Sequence, residues 1–207
     1  MSSTRALPST LHRIPRSFFI RPTLQVARNL LGKYLICETK KHPLIGKIVE
    51  VEAYLGERDP ASHSFRGKTQ RNEVMFRSGG YLYVYFTYGM HFCCNVVTGR
   101  KGKGRAVLLR AVEPIEGKQW MRARRSKSST EIDLCNGPAK LCQAFKIDRR
   151  NNGTDLCGKT IWIGAVANDR NKFAIGSSTR IGIRNGRKHR WRFFIKDNPF
   201  VSKGKPA

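Results

Sequence analysis

Acidic residues are scarce in this chain. Asp and Glu together number 14, against 40 Lys and Arg, which leaves a formal charge of +26. The first acid is Glu38. Long apolar runs are also missing. The longest, such as "LYVYF", fall far short of the ~20 residues a membrane helix needs. No stretch joins an apolar stripe to a lysine face, so a membrane-surface helix is excluded as well. No secretory pattern opens the sequence. The six cysteines, at 37, 93, 94, 135, 142 and 157, form no C-x-x-C, and no Cys/His pair has zinc-finger spacing. They read as core thiols in a reducing compartment, with no metal. No internal repeat and no Pro/Ser linker interrupts the middle, which argues against two domains.

What is present is enough for one domain. The chain has 207 residues, 40% of them hydrophobic, and can bury a sizeable core. A pI near 10.6 opposes compaction by self-repulsion, so so large a charge points to a polyanionic partner. Nucleic acid fits better than a membrane. The opening "MSSTRALPSTLHRIPRSFF" is rich in Arg and Ser, a transit-peptide composition. A basic arm lying on phosphate is the other reading. Only about 15 residues precede folded-looking sequence, short for a transit peptide, so an arm over 1–16 is expected.

"RPTLQVARNLLGK" reads as a helix, with Pro22 in its first turn and Gly32 as its stop. "KYLICET" and "IGKIVEVEAY" read as strands joined near His42-Pro43. "GERDPASHSFRGKTQRNE" has no apolar period and is long for a plain connector. In "GGYLYVYFTYGMHFCCNVV", Tyr81, Tyr83 and Tyr85 share one face; Leu82, Val84, Phe86 and Tyr88 share the other. Gly89 falls where a tight hairpin turn is needed. "AVLLRAVEP" is a strand, buried except for Arg110. "IEGKQWMRARRSK" reads as a basic helix, and "NGPAKLCQAF" as a helix opened by Pro138. "TIWIGA", "TRIGI" and "WRFFIK" read as late strands. Strands cluster without strict β-α-β alternation, which predicts a single α+β domain: a curved, mostly antiparallel sheet, flanking helices and a protruding β-hairpin.

One strand raises a chemical question. In "KIVEVEAYLG", Val49, Val51 and Ala53 point one way, and Ile48, Glu50, Glu52 and Tyr54 the other. Same-face neighbours sit roughly 6.5–7 Å apart. Two carboxylates that close repel unless cations or hydrogen bonds hold them. The bland reading is a solvated face with arginine partners. Spacing alone does not choose between Glu50 and Glu52.

The other residues allow a sharper reading. A flipped-out base needs flat π surfaces, a wedge for the vacated duplex and cations for phosphates. Tyr54, His63 and Tyr85 are flat side chains on or beside strands. Tyr88 is a large ring next to a hairpin turn. "GRKGKGR", "RARRSK" and "RNGRKHRWR" supply cations. Each signal alone is weak, since strand tyrosines usually pack and charge runs are usually solvated. Together they give a strand glutamate a task. Cutting an N-glycosidic bond develops oxocarbenium-like charge on the sugar, which a carboxylate can stabilise while deprotonating a water.

The run "IVEVEAYLG", "ASHS", "YLYVYFTYGMHFCCNVV", "AVLLRAVEP", "NGPAKLCQAF" and "NPFVS" resembles the alkyladenine (3-methyladenine) DNA glycosylase family. The resemblance extends in order from about residue 17 to 202, so a glycosylase domain is expected over 17–203. It implies Glu52 as the general base that activates water. It implies Tyr54, His63 and Tyr85 as lining for the damaged base, and Tyr88 as the residue that intercalates in the minor groove. It implies Asn95 as the group that disfavours guanine, and Arg110 as a holder of the water beside Glu52. Glu50 is then structural, paired with Arg110 or Arg105. The implied partner is double-stranded DNA carrying modified purines of the 3-methyladenine, 7-methylguanine, hypoxanthine and ethenoadenine class. The implied enzyme is monofunctional and without a cofactor; a monomer is the default expectation. It would belong in a bacterial cytoplasm, or a nucleus if eukaryotic. His91 and Cys94 stand where some relatives carry tyrosine and methionine, which bears on packing behind the hairpin and on substrate preference. The competing readings are a non-catalytic basic nucleic-acid-binding protein on the same fold and an RNA- or ribosome-associated protein.

Overall fold

The computed structural model describes residues 11–40, 42–167 and 173–204. Nine strands form one sheet in which every pairing is antiparallel. They are β1 (Leu11–Arg13), β2 (Tyr34–Cys37), β3 (Leu44–Tyr54), β4 (Leu82–Thr87), β5 (His91–Thr98), β6 (Arg105–Glu116), β7 (Ile161–Val166), β8 (Ile175–Ser178) and β9 (Arg192–Ile195). The main order is β1-β7-β2-β3-β6-β5-β4. Four α-helices accompany it among the described residues: α1 (Arg16–Phe19), α2 (Thr23–Leu30), α3 (Lys118–Arg124) and α4 (Pro138–Phe145). The architecture is α+β, as expected.

β3 is the hub. Leu44–Lys47 pair with β2, while Glu50–Glu52 pair along the same edge with β9. The other edge follows β6. Opposite β6, the register slips between Ile48 and Glu50 and again between Glu50 and Val51. The first slip leaves Val49 unopposed and the second leaves Arg110 unopposed, so the two cancel. Such bulges bend a strand and re-aim side chains.

The sheet separates two apolar layers. Leu35, Val49, Val51, Ala53, Leu82, Val84, Val107 and Leu109 belong to the large core, which includes Val26 and Leu30 of α2 and Leu141 and Phe145 of α4. Tyr83 and Ala106 belong to a smaller cluster with Val74 and Met75, against which Tyr81 and Tyr85 pack. The Tyr/Leu alternation of "YLYVY" therefore divides as the two-residue period requires. The strict alternation expected for "KIVEVEAY" does not hold at one step. Ile48 joins Val49 in the large core instead of facing with the carboxylates, because the bulge inserts a residue there. β3 is also buried on both faces up to Tyr54, so the solvated-face reading is excluded.

Other local readings are met. α2 follows Pro22, and Gly32 takes a left-handed φ of 81° where an added Cβ would meet the Phe173 ring at 2.7 Å. Pro138 opens α4, and Cys142 is buried on its inner side. The strand expected at "TRIGI" lies earlier, at Ile175–Ser178, because β9 pairs with that segment and leaves 180–190 free to wrap the site. Residues 1–10 of the arm expected at 1–16 lie outside the described residues, whereas Leu11–Arg13 pairs with the β7 edge. Five of the six cysteines are buried, Cys157 is half-buried, and all six are free thiols.

Candidate active site

The face of β3 opposite the large core carries Glu50, Glu52 and Tyr54, and from β6 Arg110 joins them. Arg110 was expected to stand out of its strand; it is instead 6% exposed. Both carboxylates need its charge, and the bulge aims it at them. Its Nε donates to Glu50 Oε1 at 2.8 Å, and its Nη1 lies 3.3 Å from Glu52 Oε1.

The two glutamates are held differently. Glu50 Oε1 accepts from Arg110 Nε, from Arg192 Nε at 2.6 Å and from Ser202 Oγ at 2.9 Å. Glu50 Oε2 accepts from the Ser202 N–H at 2.7 Å. Arg105, offered as an alternative partner, does not take part; Arg192 does, because β9 lies directly beside Glu50. Glu52 is held more loosely. Oε1 accepts the Ile181 N–H at 2.7 Å, and Oε2 accepts the Tyr54 hydroxyl at 2.9 Å. Burial raises the Glu52 pKa above the ordinary carboxylate value, while Arg110, the Ile181 N–H and the Tyr54 hydroxyl pull it back. Burial and the adjacent Glu52 push the Tyr54 hydroxyl well up, so it stays a proton donor.

Above this layer lies a cavity of about 510 Å³. Its walls include Tyr54, His63, Tyr83, Tyr85, Asn95 and Arg110, with the exposed Tyr88 also lining it. Glu52 is fully buried and sits just behind that wall, bonded to three residues that line it: Tyr54, Arg110 and Ile181. The rings form a connected set. His63 meets Tyr85 edge-on at 4.4 Å, and Tyr83 stacks near Tyr85 at 5.6 Å. His63 Nδ1 lies 3.1 Å from the Tyr83 hydroxyl. Burial, assisted by Arg71, lowers the His63 pKa, which favours a neutral imidazole. Asn95 donates to the Tyr83 carbonyl at 3.3 Å. Cys93 also lines the cavity, and burial pushes its thiol up to about 11.

Tyr88 stands apart from the other rings. It occupies the β4–β5 turn with φ 50°, followed by Gly89 at φ 67°, and its side chain is 82% exposed. Two successive left-handed residues tighten this hairpin, and glycine makes the second inexpensive. Neighbouring Met90 is 70% exposed. His91 is exposed behind the turn and Cys94 is buried in the large core.

The structure thus gathers Glu52, Tyr54, His63, Tyr85, Asn95 and Arg110 around one cavity. Sequence reasoning missed Tyr83, Arg71, Arg192, Ser202, Asp59 and Arg180. Tyr83 was legible as a face-mate of Tyr85; the others come together only through contacts between segments far apart in the chain. Among the described residues, no group of three or more His, Cys, Asp or Glu side chains is placed to hold a metal ion, and no helix is long and apolar enough to cross a membrane.

A ring-walled cavity over a buried carboxylate, in so basic a chain, suits an enzyme that handles nucleic-acid bases. Comparison with known proteins gives the family. The family model described as methylpurine-DNA glycosylase (MPG) matches residues 17–199. A protein of Carboxydothermus hydrogenoformans named "Putative 3-methyladenine DNA glycosylase" is 50% identical over 190 residues, covering 92% of this chain and 98% of its own. Proteins of the same name from Chlorobium phaeovibrioides and Burkholderia orbicola are 46% and 45% identical, covering 95% and 96% of this chain and 100% and 94% of their own. The chain belongs to the methylpurine-DNA glycosylase family, and is a DNA glycosylase, a hydrolase of N-glycosyl bonds that acts in base-excision repair of alkylated DNA.

Proposed function

We propose that this enzyme takes modified purines out of duplex DNA, of the 3-methyladenine, 7-methylguanine, hypoxanthine and ethenoadenine class, and releases them by direct attack of water. The observation that carries the reading is the Glu52 carboxylate, fixed by Tyr54, Ile181 and Arg110 against a cavity walled by Tyr54, His63, Tyr83 and Tyr85.

In this reading the extruded base stacks among the rings, which are worth roughly 1–3 kcal/mol per stacked base. Asn95 crowds the 2-amino group of guanine and so disfavours it. The Tyr88 ring enters the minor groove and fills the space the base has left. Glu52, with Arg110, holds a water below the deoxyribose. As the N-glycosidic bond breaks, its electron pair goes to the purine and positive charge develops on the sugar. The water oxygen bonds to C1′, and its proton passes to Glu52. The products are free purine and an abasic site, with inversion at C1′. An alkylated base that already carries positive charge leaves with less help; a neutral lesion takes up a proton as it goes. Among the described residues, the cavity is lined by the arginines Arg71, Arg110 and Arg184, which form no Schiff base, so the enzyme is read as monofunctional. The domain is taken as 17–203, acting as a monomer.

The test is Glu52→Gln, incubated with lesion-bearing oligonucleotides and followed by detection of abasic sites. Loss of base release with retained binding to lesion DNA is expected. Normal turnover by that variant removes Glu52 as the base.

A further inference from the structure

A second buried ion pair lies behind the cavity, and the mechanism above does not use it. Asp59 and Arg180 are both fully buried. They meet in a two-pronged contact: Arg180 Nη1 donates to Asp59 Oδ2 at 2.6 Å and Nη2 to Oδ1 at 2.8 Å. Each partner also binds backbone. Arg180 Nη1 donates to the Ala53 carbonyl at 3.0 Å, and Nη2 to the Gly186 carbonyl at 3.4 Å. Asp59 accepts the N–H groups of Leu55 at 3.2 Å and Ala61 at 3.1 Å. The guanidinium carbon also lies over two rings, 4.6 Å from the centre of Tyr54 and 5.1 Å from that of Trp191. His189 stacks on Trp191 at 3.9 Å.

This knot ties three chain segments at one point. The end of β3 contributes Ala53 and Tyr54. The loop after it contributes Asp59, with Pro60, Ala61 and His63 on the cavity wall. The segment before β9 contributes Arg180, whose next residue is Ile181. Ile181 and Tyr54 are the two uncharged groups that donate to Glu52. A planar fork held by four oxygens and two rings fixes both donors more tightly than a single contact could.

We propose that the Asp59–Arg180 pair is a positioning device that aims the Ile181 N–H and the Tyr54 hydroxyl at Glu52, and so sets the readiness of Glu52 to take a proton. This rests on Glu52 being the base. The groups that face Glu52 are Arg110 and Glu50 beside it, Tyr54 on its own strand, and Tyr85 and Cys93 from the hairpin. Loosening the pair leaves Arg110, Glu50, Tyr85 and Cys93 in place and releases only the Ile181 and Tyr54 donors. Lost donors make the ionised carboxylate less favourable, so the pH at which Glu52 ionises rises.

The experiment uses the full chain with Asp59→Asn and Arg180→Lys. Asn keeps the size of Asp59, and Lys keeps the charge of Arg180 without the fork. Single-turnover release of hypoxanthine from duplex DNA is followed against pH, beside binding to DNA that carries an abasic-site analogue. The expected result is native-like binding, a rate lower by roughly 100-fold, as for a misplaced reacting group, and an acid limb displaced to higher pH. Unchanged rates overturn the proposal. So does a slower rate with the acid limb in its native place, or a loss of binding that parallels the loss of rate. Failure of both variants to fold also overturns it, because the pair then serves the fold as a whole. Glu52→Gln is run alongside. If it excises normally, the reading of Glu52 fails; if it is inactive while the pair variants behave as native, only the positioning role fails.

Discussion

Glu50 and Glu52 are two residues apart on one strand, yet the same substitution should do opposite things to them. Glu50 accepts four hydrogen bonds, two of them from buried arginines. Glu50→Gln removes the negative charge and puts an NH₂ where one oxygen accepts from Arg110, Arg192 or Ser202. At least one buried donor then faces another donor, Arg192 loses its counter-ion, and Arg110 keeps only Glu52. Breaking a buried pair in this way costs about 3–5 kcal/mol. For a chain of this size about 1 kcal/mol shifts Tm by ~2–4 °C, so Tm should fall by ~6–20 °C. Circular dichroism during heating and in urea measures this directly. Glu52→Gln is the contrast. Burial makes the charge of Glu52 unfavourable in the folded state, as its raised pKa records. A neutral amide of the same shape should leave Tm at pH 7 unchanged or slightly higher. A loss below ~1 kcal/mol for Glu50→Gln, the scale of an exposed ion pair, refutes the reasoning. So does a larger loss for Glu52→Gln than for Glu50→Gln.

Three further outcomes are expected. Tyr88→Ser should lower excision from duplex about tenfold or more, since unstacking a base costs a few kcal/mol that the ring helps offset; parallel assays on duplex and single-stranded substrate should show the loss mainly on duplex, and unchanged duplex excision removes the wedge role. Arg110→Ala should slow single-turnover release by about 10²-fold, the scale for one preorganised electrostatic group; weaker DNA binding with a normal rate would make Arg110 a phosphate contact instead. The pH dependence carries a definite sign. Because the folded pKa of Glu52 is raised from 4.5, release of a neutral lesion should rise with pH along an acid limb above 4.5. Over that same window the folded state holds more protons than the unfolded one, so the Glu52 contribution to stability is present at lower pH and is lost as pH rises. Denaturation midpoints across that range should depend less on pH in Glu52→Gln.

Much of this protein is readable along the chain because the signals are local. The charge excess needs no fold to point toward a polyanion. The two-residue period of "YLYVY" sends Leu82 and Val84 to the large core and Tyr83 to the cavity side, as the pleat demands. Pro22, Pro138 and Gly89 mark their helix starts and turn through backbone constraints they carry themselves. The ordered motifs sufficed to name the family and to pick out Glu52, Tyr54, His63, Tyr85, Tyr88, Asn95 and Arg110.

What spacing and periodicity could not show is how the two carboxylates are held. Glu50 is occupied by Ser202, 152 residues away, and by Arg192, 142 residues away. Asp59 finds Arg180 across 121 residues. No helical or strand period spans such separations; they arise when β9 docks on β3 and the segment before it folds over the cavity. The paired bulges that aim Arg110 at both glutamates are equally invisible in the sequence, since they come from a mismatch between two strands and not from either one. Composition and periodicity thus determined a basic α+β protein with a ring-lined strand face, while the contacts between distant segments decided that Glu50 is locked by Arg110, Arg192 and Ser202 and that Glu52 lies against the cavity wall.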